Sequence, residues 1–107
     1  MNKIPYGKQF IEKEDIEAVI ETLKSEFMTQ GPKIQEFEET VAKYHNCKYA
    51  VAFCNGTAAL HGAYYALGLK VNDEFITTPI TFAASGNGGL YLGGIPKFVD
   101  IDKTNYT

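Results

Sequence analysis

Between Tyr49 and Ile101, short apolar runs alternate with stretches of helical length, and this alternation restricts the fold more than any other feature. Tyr49-Ala50-Val51-Ala52-Phe53-Cys54 is a compact apolar run that predicts a strand buried on both faces. Asn55-Gly56-Thr57 makes a turn, and Ala58 to Leu67 is alanine-rich and predicts a helix stopped by Gly68. Phe75-Ile76-Thr77-Thr78 predicts a second strand ended by Pro79, and Pro96-Lys97-Phe98-Val99-Asp100-Ile101 a third. Between them, Thr81 to Leu92 has the length of a helix closed by Gly93-Gly94. Gly86, Gly88 and Gly89 lie inside it, each costing up to about 1 kcal/mol relative to alanine. Strands alternating with helices imply parallel βαβ units with right-handed crossovers, an α/β class.

Two helices precede this region. Ile16, Val19, Ile20 and Leu23 recur at helical spacing, with Glu12, Lys13, Glu14, Asp15, Glu17 and Glu21 on the other face. Acidic residues in the first turn suit the helix dipole, although no Ser or Thr cap is visible. After the connector Ser25-Glu26-Phe27-Met28-Thr29-Gln30-Gly31, Pro32 suits the first position of a second helix. That helix carries Ile34, Phe37, Val41 and Tyr44 on one side and ends near Asn46. The expected order is thus a helical segment over 1–46, then the start of an α/β sheet over 47–107, with two helices followed by βαβαβ.

A chain of 107 residues, 45% hydrophobic and 21% charged, has the composition of one globular domain with one modest core rather than of a disordered segment. Its net charge is −3 and its ten basic residues are all lysine, which argues against nucleic acid as a partner. No stretch approaches the roughly 20 apolar residues of a membrane span, and MNKIPYGKQF lacks the apolar core of a signal peptide. Cys47 and Cys54 fit no zinc spacing, so no metal is expected and two free thiols in a reducing cytoplasm are the simpler account. His45 and His61 have no metal or acid–base partner at a suitable spacing and read as surface or capping residues. Cys54 reads as a small buried hydrophobe, and Tyr44, Tyr64, Tyr65 and Tyr91 as packing residues with a hydroxyl at the edge. Three strands with two crossover helices leave much of a parallel sheet uncovered, so the chain reads as the opening of a larger α/β protein.

The strongest chemical signal is Phe53-Cys54-Asn55-Gly56-Thr57-Ala58-Ala59-Leu60, where an apolar run enters a glycine turn and a helix begins at once. The first amides of a helix have no intrahelical partner and the dipole adds positive charge, so an anion such as a phosphate is favoured there. Gly56 allows close approach and the Thr57 hydroxyl adds a donor. The alternative is an ordinary strand–helix turn with Asn55 or Thr57 as the cap. Ligands of open parallel sheets gather beyond the carboxyl ends of the strands, so the Thr78–Ser85 loop and the Gly56 turn can face one crevice. Phe82 in that loop can stack on a flat ring, although pattern alone favours a core aromatic.

Taken together, these segments resemble the DegT/DnrJ/EryC1/StrS family of pyridoxal-phosphate sugar aminotransferases. Phe27-Met28-Thr29-Gln30-Gly31-Pro32, Asn55-Gly56-Thr57-Ala58-Ala59-Leu60, Asp73-Glu74-Phe75-Ile76-Thr77-Thr78-Pro79-Ile80-Thr81-Phe82 and Gly93-Gly94-Ile95-Pro96 carry the likeness, in collinear order. The resemblance implies the N-terminal part of a fold type I large domain, as in aspartate aminotransferase. It implies pyridoxal 5′-phosphate as cofactor, with Gly56, Thr57 and Ala58 at its phosphate and Phe82 on its ring. It places Tyr6, Glu26, Phe27, Met28, Thr29 and Gly56 near a nucleotide-sugar substrate. For the whole protein it implies transfer of an amino group from glutamate to the 4-keto group of a UDP-linked keto-deoxy sugar, in a cytoplasmic homodimer serving surface-glycan biosynthesis. Family members hold the cofactor on a Schiff-base lysine and pair its ring nitrogen with an aspartate, both downstream of Asp102 in the family pattern. Lys97, Lys103, Asp100 and Asp102 fill neither role, so no catalytic residue is expected in this chain and the segment alone is not expected to transaminate. A non-catalytic small α/β module that binds a phosphorylated ligand or a partner protein is the alternative.

Overall fold

The computed structural model describes residues 5–106, which form six regular elements: α1 (Lys13–Lys24), α2 (Pro32–Tyr44), α3 (Gly56–Ala66), β1 (Glu74–Thr77), α4 (Ala84–Leu90) and β2 (Ile95–Phe98). They fall into two compact units, the first ending at Val51 and the second beginning at Ala52.

In the first unit, a carboxylate from the third helical position reaches back to the N-cap residue Glu12. Asp15 Oδ2 accepts the N–H of Glu12 at 2.9 Å, tying down the start of α1. Gly31 precedes Pro32 at the start of α2, and a Cβ there would lie 2.6 Å from the Phe27 carbonyl oxygen, so only glycine lets the connector close this tightly. The helix ends in a Schellman motif: Asn46 takes φ 52°, Cys47 N–H donates to Ala42 O at 2.8 Å and Asn46 N–H to Lys43 O at 3.2 Å. His45 is the C-cap, as expected of a capping residue. Lys33 Nζ donates to Glu36 at 2.7 Å, which raises the Lys33 pKa above its ordinary value. Both groups are exposed, so the pair adds little to stability. Both helices have the expected amphipathic pattern, yet Ile16, Val19, Ile20, Leu23, Ile34, Phe37 and Tyr44 remain exposed and Ala42 alone is buried among the described residues of α1 and α2. An amphipathic stripe is buried only when a second layer covers it.

In the second unit β1 and β2 pair in parallel, from Glu74 opposite Ile95 to Thr77 opposite Phe98, with α4 as the crossover. Lys97 and Glu74 form an ion pair across the ladder at 2.9 Å. Phe75 on β1 is buried, 5.0 Å from the Tyr64 ring on α3. The α4 glycines make this packing possible. A Cβ at Gly89 would lie 2.4 Å from the Phe75 ring, and one at Gly88 3.0 Å from the Tyr64 ring. Their cost in helix propensity is thus offset by close approach. Gly68 ends α3 with φ 80°, the left-handed value a C′ glycine tolerates.

Five expectations are corrected. Residues 49–54 form no strand: the run has no ladder, and Tyr49 and Val51 are 75% and 70% exposed. A strand exists only where a neighbour takes up its backbone groups, and an apolar composition cannot supply one. Cys54 is exposed rather than buried, as is Cys47, and both are free thiols. The helix expected over Thr81–Leu92 is shorter, Ala84–Leu90, because 81–83 belong to the loop. The third strand ends at Phe98, where its partner β1 also ends. Of the four tyrosines, Tyr64 is a packing residue with its hydroxyl bonded, whereas Tyr44, Tyr65 and Tyr91 are exposed.

Candidate functional site

The site starts at the entry to α3. Asn55 is extended at φ −165° and ψ 168°, and its Oδ1 accepts the Ala58 N–H at 2.9 Å while its carbonyl accepts the Ala59 N–H at 3.1 Å. The expected alternative, Asn55 as an N-cap, is therefore present. The Asn55 side chain satisfies the Ala58 amide and its carbonyl takes the first intrahelical bond, from Ala59, which leaves the Gly56 and Thr57 amides with no acceptor among the described residues. Asn55 and Gly56 are exposed, and no atom lies within 4 Å of where a Gly56 Cβ would be. The corner is thus open, with two aligned N–H groups and the positive end of an 11-residue helix. Ala58 carries a donor already in use, so it is available to an anion only if the Asn55 side chain turns away.

Before the turn, Phe53 lies against α3, where a Cβ at Gly62 would be 2.6 Å from its Cζ. Phe53, Ala58, His61, Gly62 and Tyr65 border a cavity of about 310 Å³. His61 meets Tyr91 edge-on, with ring centroids 5.3 Å apart.

The second loop follows β1. Thr78 Oγ1 accepts the Ile80 N–H at 3.2 Å, the Thr81 and Ser85 hydroxyls meet at 3.0 Å, and Ser85 N–H donates to Phe82 O at 3.0 Å. Phe82 is 79% exposed, so it is not the core aromatic that pattern alone favoured. A separate cavity of about 300 Å³, lined by Thr78, Thr81, Asn87 and Phe98 among others, opens beside the carboxyl ends of both strands. This cavity and the one beside α3 have no lining residue in common. What links the two loops is Tyr64: its hydroxyl, on α3, donates to the Ser85 carbonyl at 3.0 Å. Sequence reasoning missed this contact, because nothing in the chain between two residues 21 positions apart signals that they meet.

Tyr6 and the connector residues Glu26, Phe27, Met28 and Thr29 belong to the first unit and are exposed. Ser25 Oγ donates to the Thr22 and Phe27 carbonyls, at 2.7 and 3.3 Å, which fixes the chain into the connector. Near the carboxyl end, Asp102 Oδ1 accepts the N–H of Thr104 at 2.7 Å and its hydroxyl, and these bonds hold the Asp102 pKa below the usual carboxylate value. No group of three His, Cys, Asp or Glu residues is placed to hold a metal among the described residues, and no helix there is long and apolar enough to cross a membrane.

The second unit is thus a parallel βαβ unit preceded by a helix with two free N-terminal amides, and comparison with known proteins assigns its family. The DegT/DnrJ/EryC1/StrS aminotransferase family model matches residues 9–107, and the chain belongs to that family. It is 44% identical over 98 residues to the UDP-4-amino-4,6-dideoxy-N-acetyl-β-L-altrosamine transaminase of Campylobacter jejuni, covering 92% of this chain and 26% of that protein. Helicobacter pylori PseC, an aminotransferase involved in the biosynthesis of pseudoaminic acid, superimposes with a TM-score of 0.87 at 36% identity over 94% of this chain and 28% of its own. The putative sugar aminotransferase Spr1654 of Streptococcus pneumoniae, in its PLP form, gives a TM-score of 0.84 at 30% identity over 99% of this chain and 26% of its own. The chain spans about a quarter of the length of the curated relatives it matches.

Proposed function

We propose that this chain supplies the phosphate cup and the ring-stacking face of a pyridoxal-phosphate-dependent nucleotide-sugar aminotransferase. The observation that carries the reading is the pair of unpartnered amides at Gly56, which is exposed, and Thr57, which is half-buried, at the start of α3. A phosphate dianion there accepts both N–H groups and the Thr57 hydroxyl, and the helix dipole adds to charge-assisted bonds of about 1.5–3 kcal/mol each. The missing side chain at Gly56 lets the phosphate reach the backbone, and Ala58 adds a third amide when Asn55 releases it. The exposed ring of Phe82 offers a flat face to the cofactor.

When bound, the cofactor supplies an electron sink. The residues of this chain bind and orient. They supply no proton shuttle, since none of the ten lysines sits in the family's anchor motif. The segment by itself therefore does not transfer amino groups. In the whole protein, the donor is glutamate and the acceptor is the 4-keto group of a UDP-linked keto-deoxy sugar on the route to pseudaminic acid. Tyr6, Glu26, Phe27, Met28, Thr29 and Gly56 face that sugar nucleotide. The working form is a cytoplasmic homodimer. The names of the Campylobacter and Helicobacter relatives support this choice of sugar.

The test is a chimera in which this chain replaces the corresponding N-terminal quarter of the Campylobacter transaminase. Amination of the UDP-4-keto sugar, followed by mass spectrometry with glutamate as donor, is expected to persist. A folded, cofactor-loaded chimera that aminates no UDP-sugar would overturn the substrate assignment, and one that folds without retaining cofactor would overturn the cup.

A further inference from the structure

We infer that Tyr64 is a positioning residue that holds the Phe82 loop in register with the start of α3. The inference rests on the proposed stacking role of Phe82 and goes beyond it, since Tyr64 touches neither the phosphate corner nor the stacking ring. Three observations place it there. The Tyr64 hydroxyl donates to the Ser85 carbonyl at 3.0 Å, in a partly buried contact that spans 21 residues of sequence. Ser85, in the first turn of α4, is in turn bonded to two consecutive loop residues, its N–H to Phe82 O and its hydroxyl to that of Thr81, each at 3.0 Å. The Tyr64 ring itself has little freedom, lying 5.0 Å from the buried Phe75 ring and against the backbone of Gly88.

A short chain of contacts thus runs from α3 through Tyr64 and Ser85 to Phe82. The cavity beside the Phe82 loop and the one beside α3 have no lining residue in common, and this hydrogen bond together with the α3–α4 packing sets the spacing between phosphate corner and aromatic face. A stacking ring contributes only when it is held at the right distance from the group that anchors the ligand's other end. An exposed loop aromatic has no packing of its own to hold it.

The probe is pyridoxamine 5′-phosphate, which has no aldehyde and so forms no lysine adducts. Tyr64→Phe removes the hydroxyl and keeps the ring, so the unit stays folded, which near-unchanged circular dichroism and melting report. Hydrogen exchange of the Ser85 and Gly86 amides is expected to accelerate by about tenfold, the consequence of losing one partly buried hydrogen bond, while amides in the middle of α3 are unaffected. With the probe, the phosphorus shift at the α3 corner is expected to persist while the nuclear Overhauser contact between Phe82 and the pyridine ring weakens. Unchanged exchange at Ser85 and Gly86 together with an undiminished Phe82 contact would overturn the positioning role. Phe82→Ala in the otherwise native chain separates the two readings: if it leaves affinity for the probe unchanged, the stacking role falls, whatever the exchange data show for Tyr64 in the absence of ligand. Tyr64→Leu, which removes ring and hydroxyl together, is expected to lower the melting temperature as well, which distinguishes packing from positioning.

Discussion

The Phe75 ring occupies the space that a side chain at Gly89 would need, with Cε1 and Cζ 2.4 Å from an ideal Cβ position. This contact joins β1 to α4 and explains a glycine that helix propensity alone counts as a defect. Gly86, one turn earlier, has nothing within 4 Å of its Cβ position. The same substitution is therefore expected to act in opposite directions. Gly89→Ala forces the Phe75 ring or the helix to move and destabilises by about 1–3 kcal/mol. Gly86→Ala stabilises by up to about 1 kcal/mol through helix propensity. Urea melts of the two variants, followed by far-ultraviolet circular dichroism, check the sign of each.

The Asn55 cap gives a second test. Asn55→Ala removes the acceptor for the Ala58 N–H and is expected to cost about 1 kcal/mol, with fraying confined to the first turn of α3. Asn55→Asp keeps an acceptor at the same place and is expected to retain most of that stability. Amide exchange at Ala58 and Ala59 separates the two.

The lysines provide a third. If none of them is a cofactor anchor, pyridoxal phosphate followed by borohydride labels several of the ten at low occupancy. Peptide mapping that found one lysine modified stoichiometrically would show that the anchor is present after all.

The turn at Asp102 has a defined response to pH. Its carboxylate accepts from the Thr104 N–H and hydroxyl, which lowers its folded pKa below the ordinary value. A group whose pKa is lowered by folding contributes above its unfolded value, about 3.9, and the contribution is lost as pH falls through the folded value. The Thr104 amide resonance is expected to move as the pH falls, with its midpoint below the ordinary carboxylate value. In Asp102→Ala the amide starts at the shifted position and shows no such transition.

How far the sequence could be read follows from the range of the forces involved. Helix starts and stops were legible to within a few residues: Pro32, Asn46 and Gly68 act through their own dihedral angles or through bonds to residues three to five positions away. The opening of α3 was legible for the same reason, since Asn55 needs only Ala58 to make its cap. The run at 49–54 was misread because an apolar composition records a tendency to be buried in a sheet and carries no information on whether a neighbouring strand is there.

By itself, then, the sequence determined the order of the elements that form, the helix ends to within a few residues and the open turn at the start of α3, because each depends on contacts within about one turn of chain. Only the tertiary structure decided that Phe82 lies exposed, that Gly88 and Gly89 face the Tyr64 and Phe75 rings, and that Tyr64 reaches Ser85. Those relations arise where α3, β1 and α4 pack against one another, and close packing between elements distant in sequence leaves no periodic or compositional trace in any one of them.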